Sequence, residues 1–81
     1  MLSLQIHALD KTLFAGSAEY VIVPGKDGEL SVHDNHMPLL TTLQKGMVRV
    51  KPDKDAALQS FEVQGGTLEV KPGGYVSLLV K

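Results

Sequence analysis

The 81-residue chain contains no cysteine and no tryptophan, and its only aromatic residues are two tyrosines and two phenylalanines. The absence of cysteine excludes disulfide bridges and zinc sites built on thiolates, and it is typical of a reducing compartment. Chains this short often rely on disulfides, metals or partners for stability. Hydrophobic residues still make up 43% of the chain, which predicts one folded domain over residues 1–81 rather than a disordered segment.

The chain also lacks an excess of charge of either sign. Eight Lys and Arg residues stand against nine Asp and Glu residues, giving a formal net charge of -1. This balance removes the basic surface expected of a nucleic-acid-binding protein. No apolar run approaches the roughly 20 residues of a membrane-spanning helix, and residues 1–11 do not resemble a secretory signal. The sequence therefore favours a soluble, cytoplasmic chain.

What the sequence does contain is a repeated alternation of apolar and polar residues. This period of two recurs over residues 2–7, 47–51, 61–63, 67–71 and 75–80. Such alternation is typical of strands that bury one face and turn the other toward solvent or a partner. No segment has a convincing helical period, so the sequence predicts an all-β domain.

Turn-forming residues separate these segments at short intervals. Gly, Pro, Asp, Asn and Lys mark turns at residues 10–11, 24–28, 34–35, 45–46, 52–54, 65–66 and 72–74. The spacing predicts eight or more short, mostly antiparallel strands in a sandwich or flattened barrel.

Two segments are apolar on both faces and break the alternation. The first covers residues 20–23, and the second contains Leu39 and Leu40 close to Met37. Strands of this kind are either central in the sheet or covered by a partner, and the pattern leaves both explanations open.

His33, Asp34 and His36 invite the alternative of a small metal-binding barrel. A turn at Asp34 and Asn35 could bring the two imidazoles together, although a metal site needs three or four supported ligands. A histidine that forms hydrogen bonds in a turn is the simpler explanation. The chain shows no nucleophile elbow and no phosphate-binding loop. Lys54 lies in a turn but lacks the flanking residues of a lipoyl or biotinyl carrier site.

Three stretches together resemble the N-terminal domain of the epsilon subunit of F-type ATP synthases. They are Phe14-Ala15-Gly16 with the strand that follows, the segment from Gly28 to Val50, and the segment from Phe61 to Val70. The second contains Gly-Glu-Leu, His-Met-Pro-Leu-Leu-Thr and Lys-Gly-Met-Val-Arg-Val in the family's order. The similarity covers essentially the whole chain, although His33 and Asn35 stand where the family usually has an apolar residue and a glycine.

The resemblance implies a flattened, non-catalytic sandwich of about ten strands that needs no cofactor. Such a domain binds the gamma subunit and the c ring at the cytoplasmic face of the bacterial inner membrane, where it couples ion-driven rotation to ATP synthesis. The implied gamma contacts are Ala8, His36, Met37, Leu39, Thr41 and Gln64. The implied contacts with the polar loops of the c ring, which carry a basic residue, are Asp27, Gly28 and Glu29. The family's C-terminal two-helix domain is expected to be absent, through truncation or because this is a short form.

Overall fold

A computed structural model describes all 81 residues as nine β-strands joined by short turns, without a helix. In chain order the strands are β1 (Leu2–His7), β2 (Thr12–Ala18), β3 (Tyr20–Gly25), β4 (Gly28–His33), β5 (Leu39–Leu43), β6 (Gly46–Lys51), β7 (Gln59–Val63), β8 (Gly66–Lys71) and β9 (Tyr75–Val80). The predicted all-β class is confirmed, with nine strands rather than about ten.

The strands form two layers that are joined at one corner. Strands β2-β1-β9-β8-β5 are neighbours in the layer called here the first sheet, and β4, β3, β6 and β7 form the second sheet. Gly25 at the end of β3 pairs with Leu43 at the end of β5, which connects the two layers. All pairs are antiparallel except β1 with β9, which run parallel.

A single aliphatic core lies between the layers. It contains sixteen buried residues, none more than 6% exposed: Leu2, Leu4, Ile6, Ala18, Val21, Val23, Val32, Leu43, Val48, Val50, Val63, Leu68, Val70, Val76, Leu78 and Val80. Most of these occupy alternate positions of their strands, as the period of two predicts. Because no polar side chain is buried, burial of aliphatic surface is the main source of stability.

Two turns position residues that the resemblance assigns to partner contacts: the β3–β4 hairpin and the connection from β4 to β5. The β3–β4 hairpin closes at the Gly25–Gly28 pair, so Lys26 and Asp27 form its two-residue tip. In the connection from β4 to β5, Asn35 has a φ of 66°, a left-handed conformation that Asn tolerates better than most residues. Asn35 can therefore take the place of the glycine that the family usually has there.

The two segments that are apolar on both faces have different environments. β3 is a central strand with β4 on one side and β6 on the other, and Val21 and Val23 are fully buried. The ring of Tyr20, on the outer face, lies 5.1 Å from the ring of His33. Leu40 on β5, by contrast, remains 72% exposed. The structure contains no helix long and apolar enough to cross a membrane.

Candidate assembly surface

Glu29 lies on the outer face of the second sheet, next to the tip of the β3–β4 hairpin. Its cross-strand partner on β3 is Pro24, and Arg49 on β6 lies on the other side of β3, opposite Ile22. Alternate residues of a strand share a face, so Glu29 and Arg49 lie diagonally across β3. A guanidinium Nη2 of Arg49 donates to the Glu29 carboxylate in an ion pair. Glu29 therefore already has a cationic neighbour within its own chain.

Asp27 and Gly28 precede Glu29 at the hairpin tip, and all three residues are exposed. Gly28 has a φ of 128°, and a Cβ added there would meet no atom within 4 Å. At Gly28 the backbone itself can thus approach another protein closely, because no side chain covers it. The structure presents the three residues expected at the c ring together, at one end of the second sheet.

His36 and Met37 lie in the connection between β4 and β5. The His36 backbone N–H donates to the carbonyl of His33 at 3.2 Å, and its Nδ1 lies 2.7 Å from the carbonyl of Met37. These local bonds fix the connection while the Met37 side chain remains 78% exposed. The connection therefore offers a polar imidazole and an apolar side chain side by side.

Along β5 the inward and outward positions alternate, which separates Leu39 from Leu40. Leu39 is half-buried and packs against the core, whereas Leu40 points away from it. Thr41 is half-buried and shares with Leu39 a shallow cleft beside the β3–β4 hairpin, lined also by Glu29 and Leu30. Leu40, which is not among the six expected gamma contacts, thus offers more apolar surface than Leu39.

Ala8 and Gln64 lie at the other end of the first sheet. Gln64 donates its backbone N–H to the carbonyl of Lys81 at 2.8 Å, at the end of β9. Ala8 follows β1 and lines a groove with Leu79 and Lys81 at the same end. Leu39, by contrast, pairs with Val70 near the opposite end of β8.

The six expected gamma contacts therefore fall into two groups separated by about one strand length. A strand of six residues such as β8 is roughly 17 Å long. A standard protein interface covers about 800 Å² on each partner, a patch of roughly 28 Å on a side. The domain itself measures 27 × 25 × 22 Å. Both groups thus lie within the dimensions of one standard interface, with Leu39 and Thr41 facing the β3–β4 hairpin rather than the outer face of the first sheet.

The outer face of the first sheet, between these groups, carries little charge. The outward positions on β1, β9, β8 and β5 are Ser3, Gln5, His7, Tyr75, Ser77, Leu79, Thr67, Glu69, Lys71, Leu40 and Thr42. Among them, Glu69 is the only acidic residue and Lys71 the only Lys or Arg. Depletion of charge with exposed aromatic or aliphatic side chains is typical of the centre of a protein interface.

The three residues of the metal-site alternative make separate contacts. His33 Nε2 lies 2.9 Å from the Oγ of Ser31, while Asp34 forms an ion pair with the N-terminal amine of Met1. His36 turns to the Met37 carbonyl, as described above. No group of three possible ligands comes together anywhere in the chain. The geometry therefore gives no support to a metal site built on His33, Asp34 and His36.

The chain is thus a small β-sandwich domain with an exposed hairpin tip and exposed apolar side chains such as Met37 and Leu40. It belongs to the family "ATP synthase, Delta/Epsilon chain, beta-sandwich domain", whose model matches residues 1–81. The resemblance found in the sequence is thereby confirmed.

Relatives in bacteria carry matching names. The ATP synthase epsilon chain of Herminiimonas arsenicoxydans is 38% identical over 74 residues, covering 91% of this chain and 53% of that protein. ATP synthase epsilon chain 1 of Methylococcus capsulatus is 47% identical over 60 residues, covering 74% and 42%. The chain thus spans about half the length of the curated relatives it matches. Their names agree with the prediction of a non-catalytic subunit.

Solved structures share the fold at low sequence identity. A chain of the Euglena gracilis mitochondrial ATP synthase, in a structure of OSCP, F1 and the c-ring, matches with a TM-score of 0.89 at 18% identity, covering 98% of this chain and 49% of that chain. A chain of the Tetrahymena thermophila central stalk and c-ring structure matches with a TM-score of 0.82 at 14% identity, covering 98% and 62%.

Proposed function

We propose that this domain is a non-catalytic part of the central stalk of an F-type ATP synthase. It binds the gamma subunit and the c ring, so that ion-driven rotation of the ring is coupled to ATP synthesis. The observation that carries this proposal is the family match over all 81 residues. The domain is peripheral, held at the cytoplasmic face of a bacterial inner membrane by its partners, and it uses no cofactor.

The c ring is contacted by the tip of the β3–β4 hairpin through Asp27, Gly28 and Glu29. Their exposure and the lack of a side chain at Gly28 support this assignment. A carboxylate at Glu29 suits a basic side chain in a polar loop of the ring. An exposed ion pair of this kind contributes only about 0–1 kcal/mol, so its main effect is on orientation and register.

The gamma subunit is contacted along the first sheet. One group of contacts is Ala8 with Gln64, and the other comprises His36, Met37, Leu39 and Thr41. Leu40, between Leu39 and Thr41 on β5, adds exposed apolar surface to the second group. The low charge of the intervening outer face favours a contact that removes water from aliphatic surface.

Transmission of torque requires a body that does not deform, and the fold meets this requirement. Its backbone makes 46 hydrogen bonds to itself, 37 of them within the strands. One continuous core of sixteen residues connects both sheets. Because close-packed interiors have low compressibility, force applied to the hairpin tip is passed to the first sheet.

The Glu29 assignment is tested by a disulfide crosslink in membranes that contain the assembled synthase. Glu29→Cys is expected to crosslink to a cysteine placed in the polar loop of the c subunit, because a disulfide requires Cα atoms within about 7 Å. The measurement is the yield of crosslinked product by electrophoresis without reducing agent.

Glu62→Cys provides the matched control. Glu62 is exposed and lies on the same outer face, on β7, three strands from β4. That separation amounts to roughly 14 Å, so its crosslink yield should be far lower. Equal yields from the two positions, or none from Glu29→Cys while gamma crosslinks form, would remove Glu29 from the c-ring contact.

A further inference from the structure

In the structure, the Glu29 carboxylate forms an ion pair with Arg49 of its own chain. The proposed function instead brings a basic side chain of the c ring to the same carboxylate. Only two ion pairs are present, and the Arg49–Glu29 pair is the one that bridges two strands of a sheet. The side chain of Glu29 is 64% exposed and that of Arg49 is 37% exposed. The pair is thus open to a third charged group arriving from solvent.

Arg49 is more buried than Glu29. It lies on β6, between β3 and β7, with Ile22 and Ser60 as its cross-strand neighbours. Its Nε is buried without a hydrogen-bond partner, and its Nη2 donates to the Glu29 carboxylate. Glu29, on β4, has a strand on only one side. Glu29, the more exposed partner on an edge strand, is therefore the member of the pair that an arriving cation can reach.

We propose that Arg49 competes with the basic side chain of the c ring for the Glu29 carboxylate and so limits the strength of that contact. This inference rests on the proposed function, which brings a basic group to Glu29. A carboxylate that already accepts from a guanidinium has fewer free lone pairs, and the nearby positive charge repels an incoming cation. The partner must displace Arg49 or share the carboxylate with it.

Arg49→Met tests the competition, because methionine keeps an unbranched side chain and removes the charge. The measured quantity is the Kd of c rings, in nanodiscs, for the complex of this chain with its gamma subunit. Measurement at low salt, about 50 mM, keeps surface charges weakly screened. Arg49→Met should lower the Kd about two- to fivefold, the range expected from freeing one exposed ion-pair partner.

Lys51→Met is the matched control for a general change in charge. Lys51 lies two residues further along β6 on the same outer face, and its Nζ donates to the carbonyl of Ala56 rather than to Glu29. Lys51→Met alters the net charge by the same amount and should leave the Kd unchanged. In a Glu29→Gln background, Arg49→Met should also have no effect. Arg49→Gln replaces Arg49→Met if the latter does not give folded protein by circular dichroism.

The measured Kd values distinguish a failure of the Arg49 competition from a failure of the proposed contact between Glu29 and the c ring. If Glu29→Gln weakens binding but neither Arg49 variant tightens it, the competition is wrong and the c-ring contact stands. Equal tightening by Lys51→Met and Arg49→Met would assign the effect to overall charge and also overturn the competition. If Glu29→Gln leaves the Kd unchanged, the contact itself is wrong, and the competition falls with it.

Discussion

Gly66→Ala should lower the free energy of unfolding by at least about 3 kcal/mol, the largest single loss expected from a one-methyl change in this domain. Gly66 opens β8 with a φ of 147° and lies opposite Val80 of β9. A Cβ at this position would come within 2.1 Å of the Leu79 carbonyl oxygen and 2.9 Å of the Val80 Cα. Because both obstacles are backbone atoms in a hydrogen-bonded pair of strands, relief requires the strands to separate.

Gly16→Ala separates the steric part of this loss from the conformational part. Gly16 on β2 has a similar φ of 154°, but nothing lies within 4 Å of an added Cβ. Its substitution should cost only the strain of an unfavourable backbone conformation, roughly 1–2 kcal/mol. Urea unfolding followed by circular dichroism measures both variants. Equal losses at the two positions would mean that β8 and β9 are not as close as the structure places them.

Leu4→Ala should lower the free energy of unfolding by about 2–5 kcal/mol. Leu4 on β1 is completely buried and lies between Gly16 of β2 and Val76 of β9. Gly16 has no side chain that could move into the space left by the leucine. A domain of this size has a total stability of only about 4–12 kcal/mol, so this one truncation removes a large share.

Leu40→Ala is the matched control for Leu4→Ala. The same atoms are removed from a side chain that is largely exposed on β5, so the stability should change by no more than about 0.5 kcal/mol. Comparable losses from the two substitutions in urea unfolding would contradict the inward and outward assignments of β1 and β5.

Most strands and turns could be predicted from the sequence, because local residue chemistry determines them. Alternation along Leu2–His7 and Tyr75–Val80 reflects the geometry of an extended chain, and it holds wherever one face is buried. The turn at residues 34–35 was predicted from residue types, and the positive φ of Asn35 agrees with it. Strand β2 was not predicted as a separate element, because residues Thr12–Ala18 show no clean alternation of apolar and polar residues. In the structure β2 is an edge strand, paired only with β1.

The pairing of strands that are distant along the chain could not be predicted from the sequence. The parallel pairing of β1 with β9 joins residues about 70 positions apart, and no local pattern specifies it. The Arg49–Glu29 pair depends on the registers of β3 with both β4 and β6. The alternation around Val48 and Val50 does place Arg49 on the outer face, but it gives no indication of the charge opposite.

The residues of the candidate assembly surface could be predicted mainly through the resemblance to the epsilon-subunit family. Composition and spacing indicated only spare apolar surface, whereas the family's motifs named individual positions such as His36 and Gln64. The structure adds that these two lie at opposite ends of the first sheet and that Leu40, not Leu39, is the more exposed leucine. Which leucine faces outward depends on the register of β5 with β8, so the sequence alone left the choice open.

The central claim, that this domain is an assembly unit which binds gamma, is tested most directly by coexpression with the gamma subunit of the same organism. The chain should purify with gamma as a 1:1 complex through affinity capture and size exclusion in moderate salt. Leu40→Asp should weaken that complex at least tenfold, because it places a charge on a surface that loses water on binding. Ser60→Asp, exposed on β7 of the second sheet, should leave it intact. Elution of a folded chain apart from gamma would contradict the account.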